Sequence, residues 1–435
     1  MKIFPIENLR GKIKVPGDKS ISHRSIIFAS LGDSTVEIEN FLHGADCLST
    51  VNCMKAFGVD VKFDGEKVFV TGNGLHGLCE PKNILDAGNS GTTLRLLMGL
   101  AAAQNFLTVF TGDNSLRQRP MARVINPLTE MGASIFGRNG NKNLPIAVTP
   151  TKNLRGVTYE MPVASAQVKS AIMLAALYAG GVTTIVEPAP SRDHTEKMLA
   201  AFGAQIEKVG NTIKIFPAEK LTAPEKIIVP NDISSAAWWI VLAAVTKNSA
   251  VTLENVGVNE TRTGILDVLK SMGASIELVN IRESGGELAA DIKVTSSNLH
   301  GVEIGGAIIP RLIDEIPALA VAAAFAEGTT VIHDVGELRV KESDRLAAIV
   351  KEFNKISPRS FEATADSLII HGGNEKIFGA CKTYGDHRIA MALSIFGAAS
   401  CGVEIDDADC VKISYPSFFE NLSIDIKDTQ FVNKL

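Results

Sequence analysis

One short phrase recurs along this chain at nearly constant spacing, and a repeat limits the fold more than composition can. The copies read AFGVDV (56–61), EMGASI (130–135), AFGAQI (201–206) and SMGASI (271–276). Their glycines, Gly58, Gly132, Gly203 and Gly273, stand 74, 71 and 70 residues apart. Each copy follows an apolar helical pattern and precedes a β-type alternation. Each glycine therefore reads as a helix C-terminal cap in the left-handed region. Ahead of these phrases lie β-branched runs ending in turn formers: STVEIEN, LTVFTGD, TTIVEPA and AVTLENV. TTVIHDVGE and GVEIDDA are a fifth and sixth copy, and all six read as strands. TTVIHDVGE also leads into a helical stretch from Arg345 to Phe353.

A third element precedes each strand. It is a helix of small apolar residues, as in HRSIIFASLG, TTLRLLMGLAAA, QVKSAIMLAALYAGG, SSAAWWIVLAAV, EIPALAVAAAFAEG and HRIAMALSIFGAAS. These segments are apolar nearly all round, which means burial on most sides. Six units of about 72 residues fill the chain, and strands alternating with helices define a mixed α/β (α+β) architecture. Six units cannot close an eight-unit TIM barrel, and helices this apolar belong at the centre rather than the periphery.

The front of each buried helix carries the chemistry: PGDKSISHR (16–24), GNSGTTLR (88–95), ASAQVK (164–169), NDISS (231–235), RLIDE (311–315) and YGDHR (384–388). Gly, Ser, Thr, Asn and Asp there are ordinary N-capping chemistry, and for any single copy capping is a sufficient reading. The cations are harder to place. Lys19, Arg24, Arg95, Lys169 and Arg388 lie at helix starts, where the macrodipole disfavours them by up to about 1 kcal/mol. An anion between the cation and the helix N–H groups removes the conflict. Lys341 and Arg345 read as like-charged i,i+4 neighbours, a pairing that also asks for a shared anion. RQRP (117–120) adds two arginines at a turn. The pattern points to a site for more than one anionic group, with arginine forks suited to carboxylate and phosphate. Among the cations stand two carboxylates. Asp314 reads alone as a helix N-cap and Glu342 alone as a surface ion-pair partner. Within an anion site, acid–base service is the alternative for both.

Several chemistries are excluded. GNSGTT lacks the GK[ST] of a phosphate-binding Walker loop, and no GxGxxG is present. No nucleophile elbow supports a hydrolase triad. The six cysteines form no CxxC and have no histidine partners at zinc spacing, so reduced thiols and no metal are expected. The longest strongly apolar stretch, Ala236–Val245, is ten residues, half of a membrane span. The first twenty residues mix charges and lack a signal peptide's apolar run. A formal charge of −5 argues against a general nucleic-acid coat.

PGDKSISHR, DAGNSGTTLRLL, RQRPM, SAQVKSA, SRDHTE, NETRTG, LIDEIPALA, VKESDRL and GDHRIAMA, in this order, resemble the 5-enolpyruvylshikimate-3-phosphate synthase family. The resemblance runs from about residue 10 to 425, and GDKS, SAQVK, RDHTE and NETR resemble its second sequence class. It implies a two-lobed enolpyruvyl transferase fold (an alpha-beta prism, or inside-out barrel) of six βαβαββ units with buried helices, three units per lobe. The implied lobes are 19–230 and 1–18 plus 231–435, with the active site in the cleft between them. The implied reaction transfers the enolpyruvyl group of phosphoenolpyruvate to the 5-hydroxyl of 3-phosphoshikimate, on the route to chorismate and aromatic amino acids. No metal or organic cofactor is implied. A cytoplasmic monomer without nucleic-acid or membrane partners is expected.

The resemblance also assigns residues. Lys19, Ser20, Arg24, Ser165, Gln167, Ser191, Asp314 and Lys341 match 3-phosphoshikimate contacts. Lys19, Asn89, Gly91, Arg119, Gln167, Arg345 and Arg388 match the phosphoenolpyruvate side. Asp314 corresponds to the acceptor of the hydroxyl proton. Glu342 corresponds to the acid that protonates the methylene carbon, and Lys19 shares in proton transfer. Four positions depart from the best-known pattern: Ala166 replaces a second serine, Glu337 an asparagine, SRDH the sequence SKPY, and Ile413 a late lysine whose neighbour here is Lys412. A homologous transferase acting on UDP-N-acetylglucosamine should carry a cysteine in the loop that reads GDNSLRQRPM here. An RNA-terminal phosphate cyclase needs a nucleotide-linked histidine and a nucleic-acid surface, and a non-catalytic anion binder should have lost Asp314 or Glu342.

Overall fold

The computed structural model describes residues 1–284 and 286–422. The six small-residue segments are all helices: α1 (Lys19–Leu31), α2 (Gly91–Ala101), α3 (Ala166–Ala176), α4 (Ile233–Val245), α5 (Ile316–Phe325) and α6 (His387–Ala398). Their side chains are buried around almost the whole circumference, as a helix without a polar face requires. Gly58, Gly132, Gly203 and Gly273 have φ of +88°, +105°, +84° and +95°, the left-handed caps expected of them.

The strand after each central helix anchors a small sheet. Thr108–Thr111 pairs in parallel with Leu85–Asp86 and antiparallel with Asn143–Thr149, which pairs onward with Ser134–Gly137. Thr183–Val186 repeats this arrangement with Thr158–Glu160, Thr212–Ile215 and Ile206–Val209. Thr329–Ile332 repeats it with Glu303–Ile304, Leu368–His371 and Phe361–Ala363. In these three sheets the parallel partner is the strand just before the same helix, a βαβ unit closed on itself.

The first and fourth sheets exchange that partner. Arg10–Ile13 precedes α1, yet it pairs with Ala250–Gly257 after α4. Lys226–Ile228 precedes α4, yet it pairs with Thr35–Glu39 after α1. The exchange explains why the chain divides at these two places. One compact unit is Gly17–Val229 with Glu283–Glu287; the other is Met1–Pro16, Pro230–Arg282 and Leu288–Leu435. Each unit has its own buried apolar cluster. The sixth sheet has three strands among the described residues, with Val403–Ile405 between Gly379–Cys381 and the N-terminal Lys2–Ile3.

Helices this close must shed side chains. A Cβ on Gly99 of α2 would lie 2.2 Å from the Ala171 carbonyl oxygen of α3, so that crossing requires glycine. Arg345 to Phe353 is helical as expected, with an α-helical turn, Arg345–Ala348, that runs into a wider π-type turn, Ile349–Phe353. Among the described residues, no helix is long and apolar enough to cross a membrane.

Candidate active site

In the Gly17–Val229 unit, the proposed site residues gather at the starts of α1, α2 and α3. Asp18 caps α1 by accepting from Ile21 N at 2.8 Å, which leaves Lys19 on the first turn. Lys19 Nζ reaches Asp46 Oδ2 at 2.6 Å. Arg24, one and a half turns on, is buried. Its guanidinium donates to Thr195 Oγ1 (2.7 Å), Ser20 O (2.9 Å) and Ser170 Oγ (2.8 Å). Burial pushes its pKa down to about 10, against the pull of Glu196 and Asp18.

Ser90 caps α2, which places Gly91 at the first helical position beside Arg119. Arg119 donates to Asn89 Oδ1 at 2.7 Å, while the Asn89 amide donates to Asp113 Oδ2 at 2.7 Å. A Cβ on Gly91 would meet Arg119 Nη1 at 3.3 Å and Arg95 Nη1 at 3.7 Å, so the missing side chain is what admits the arginines. Arg95 hydrogen-bonds to Gln167 Oε1, and Gln167 Nε2 donates to Thr92 Oγ1 at 2.9 Å. Ser165 caps α3 and accepts from Val168 N at 3.5 Å. Behind it, Ser191 donates its hydroxyl to Glu187 Oε1, and its N–H reaches the same atom at 3.2 Å.

The second group lies wholly within the other unit. Arg345 is 1% exposed and pairs with Asp386 Oδ2 at 2.8 Å through Nε and with Glu342 Oε2 at 2.5 Å through Nη2. Its Nη1 lies 3.5 Å from Asp314 Oδ1, the same atom that Lys341 Nζ approaches at 3.5 Å. Burial alone would lower the guanidinium pKa, but Asp386, Glu342 and Asp314 together hold it above its ordinary value. Asp386 also caps α6, accepting from Arg388 N at 2.9 Å. Arg388 Nη1 donates to the Asp314 carbonyl oxygen at 2.9 Å. Three carboxylates, Asp314, Glu342 and Asp386, and three cations, Lys341, Arg345 and Arg388, thus form one cluster within this unit.

Several sequence expectations need correction. Asp314 is not a helix N-cap: it stands in the turn between Ile309–Leu312 and α5, and Glu315 holds the cap position. Glu342 is not a surface ion-pair partner, because the guanidinium that it meets is buried. Lys341 and Arg345 are not i,i+4 neighbours on a helix, since the helix begins at Arg345 and Lys341 is extended. The anion that they share is the protein's own Asp314. Lys169 likewise needs no ligand: it is fully buried between Glu187 Oε2 (3.0 Å) and Glu196 Oε1 (2.7 Å). Glu337 is exposed, and Lys412 pairs with Asp409 at 2.7 Å on the surface. Sequence reasoning gave no role to Asp46, Asp113, Glu187 or Glu315. The only signal for Asp386 was its place inside YGDHR.

The paired sheets around buried helices are the fold of the enolpyruvyl transferases. The chain superposes on the enolpyruvyl transferase NikO from Streptomyces tendae with a TM-score of 0.77 at 17% identity, covering 97% of this chain and 96% of that one. A narrower assignment follows from sequence. Residues 3–422 match the family model described as EPSP synthase (3-phosphoshikimate 1-carboxyvinyltransferase), and the chain belongs to that family. A 3-phosphoshikimate 1-carboxyvinyltransferase from Thermoanaerobacter sp. (strain X514) is 54% identical over 417 residues, 96% of this chain and 97% of the relative. The EPSP synthase structure from Acinetobacter baumannii aligns with a TM-score of 0.87 at 42% identity, covering 98% and 97% of the two chains.

Proposed function

We propose that this protein transfers the carboxyvinyl group of phosphoenolpyruvate to the 5-hydroxyl of 3-phosphoshikimate by addition and elimination. The observation that carries this reading is the pair Asp314 and Glu342, two carboxylates held 3.5 and 2.5 Å from one buried guanidinium. Acid and base services need two such groups at fixed separation, and the shared arginine fixes them. In the addition step, the 5-hydroxyl oxygen bonds to C2 of phosphoenolpyruvate. The hydroxyl proton passes to Asp314, and Glu342 delivers a proton to C3. In the elimination step, the C2–O bond to phosphate breaks, phosphate leaves, and C3 returns a proton to Glu342. Lys19, on the first turn of α1, shares in the proton traffic.

Lys19, Ser20, Arg24, Ser165, Gln167, Ser191 and Lys341 are the proposed contacts of 3-phosphoshikimate. Asn89, Gly91, Arg119, Gln167, Arg345 and Arg388 are those of phosphoenolpyruvate, whose carboxylate and phosphate suit planar arginine forks. Small-molecule transfer of this kind fits a cytoplasmic monomer that uses neither nucleic acid nor cofactor. Light scattering checks the monomer.

The reading is tested by phosphate release from the two substrates, each omitted in turn, with UDP-N-acetylglucosamine as the competing acceptor. Asp314→Asn and Glu342→Gln should each lower turnover by about 10²–10⁴-fold at saturating substrate. Near-normal turnover in both variants would remove the assigned roles.

A further inference from the structure

Tyr384 adopts a backbone conformation that a tyrosine should avoid. Its φ is +57° and that of Gly385 is +66°. Asp386 N donates back to Thr383 O at 3.0 Å, so Thr383–Asp386 is a hydrogen-bonded turn with both central residues at positive φ. That is the type I′ pattern, which favours Asn or Gly at its first central position. A bulky side chain there is an outlier, and such outliers persist only where the surroundings enforce them.

The enforcing group is visible. Tyr384 Oη donates to Glu352 Oε1 at 2.6 Å, a charge-assisted contact to a carboxylate that is itself fully buried. The same carboxylate accepts from Lys382 N at 2.9 Å and from Lys355 Nζ at 2.5 Å. Lys351 Nζ lies 6.0 Å from the centre of the Tyr384 ring. Glu352 therefore grips the residue just before the turn and the turn's first central side chain, while Asp406 Oδ1 accepts from Thr383 N at 2.8 Å. Glu352 reaches its two partners from the π-type turn that directly continues the helix of Arg345.

The far end of the turn is Asp386, and Arg388 follows it on the first turn of α6. Asp386 pairs with Arg345 at 2.8 Å and caps α6 through Arg388 N. Two ties thus join segment 345–353 to segment 382–388: Asp386 to Arg345 at one end, and Tyr384 with Lys382 to Glu352 at the other. A turn free to relax to negative φ at Tyr384 would re-aim Asp386, and with it both arginines.

We infer that Tyr384, held by Glu352, is a positioning residue that fixes the disfavoured turn and so aims Arg345 and Arg388 at the anionic donor substrate. This rests on the reading above that these two arginines bind phosphoenolpyruvate. Its test is steady-state phosphate release by the full chain, with each substrate varied in turn. Tyr384→Phe keeps the ring and removes the hydroxyl. It should raise the KM for phosphoenolpyruvate about tenfold, while the KM for 3-phosphoshikimate changes less than twofold. Tyr384→Asn also lacks the tie but tolerates positive φ, and should recover most of the loss.

A Phe variant with unchanged phosphoenolpyruvate KM, or with both KM values raised alike, overturns the inference. So does an Asn variant as impaired as Phe, which would mean that the hydroxyl acts on substrate directly. A merely structural role would lower the unfolding temperature of Phe without separating the two KM values. Failure of the unmodified protein to release phosphate from this substrate pair would instead remove the reading beneath the inference, and the inference with it.

Discussion

Lys169→Met probes the most deeply buried charge cluster in the Gly17–Val229 unit. The side chains of Lys169 and Glu187 are 0% exposed and that of Glu196 is 8% exposed, with the ammonium 3.0 and 2.7 Å from the two carboxylates. Methionine matches the lysine stem in length, so the substitution leaves little cavity. It leaves two carboxylates without the ammonium that they share. Removing one partner of a buried ion pair costs about 3–5 kcal/mol, mostly for the charge left behind. Adding Glu187→Gln and Glu196→Gln to Lys169→Met removes the residual charge while keeping an acceptor for the Ser191 hydroxyl. The triple variant should recover most of the loss, because buried ion pairs are often no more stable than uncharged replacements of similar volume.

A chain of two units need not unfold in one step, so a single unfolding midpoint is a poor readout. Native-state hydrogen exchange reads the cluster locally. Amides of α3 and of the helix His194–Ala201 should exchange about 10²–10³-fold faster in Lys169→Met, since each 1.4 kcal/mol is tenfold. Amides of α4, in the other unit, serve as the control. Unchanged α3 exchange in the single variant would refute the reasoning. A triple variant as labile as the single would refute it too, since the loss would then not arise from unpaired charge.

Gly91→Ala places a Cβ 3.3 Å from Arg119 Nη1. The guanidinium must yield by a few tenths of an ångström, so the phosphoenolpyruvate KM should rise severalfold without loss of stability; an unchanged KM would place Arg119 away from that substrate. Asp386→Asn removes the one fully buried carboxylate of the three around Arg345, leaves Glu342 and Asp314 in place, and should cost about 1.5–3 kcal/mol at neutral pH. Burial is the largest influence and raises the Asp386 pKa, but the charge and hydrogen bonds of Arg345, with His387, together hold it below the usual 3.8. The wild-type advantage should therefore be constant above pH of about 4 and shrink as pH falls through the depressed folded value. Hydrogen exchange of the α6 amides, compared between the two proteins at each pH from 7 to 3, checks this, and a gap that already changes between pH 7 and 5 would point to another group.

What could be read from the sequence was whatever repeats or is local. Four glycine caps and six helix–strand phrases recur, and period is a property of one strand of text. The exchange of Arg10–Ile13 with Lys226–Ile228 was not readable from that period, because both strands carry the ordinary pattern and only their pairing differs. The candidate site divides in the same way. Cations at helix starts conflict locally with the dipole and so announce themselves. The carboxylates that answer some of them do not: Glu187 is 18 positions from Lys169, Asp46 is 27 from Lys19 and Asp386 is 41 from Arg345. Tyr384 is hidden for another reason. A tyrosine beside a glycine gives no sign of positive φ until the turn is built.

Lys169 and Arg24 look alike in sequence, each a cation near the start of a buried helix beside serines, yet the structure separates them. Lys169 is met by two carboxylates inside the protein, so its charge is already compensated and an arriving phosphate would gain little from it. Arg24 spends its guanidinium on three neutral oxygens, of Ser20, Ser170 and Thr195. Those bonds orient the fork without cancelling its charge, and burial has already lowered the pKa to about 10. A cation that is desolvated, and that Glu196 and Asp18 offset only in part, attracts an external anion more strongly than a solvated one, because the screening water is gone. The desolvation cost is met during folding, before any substrate arrives. A substrate phosphate near α1 would therefore draw on Arg24 rather than Lys169, although the dipole argument from sequence gave both the same weight.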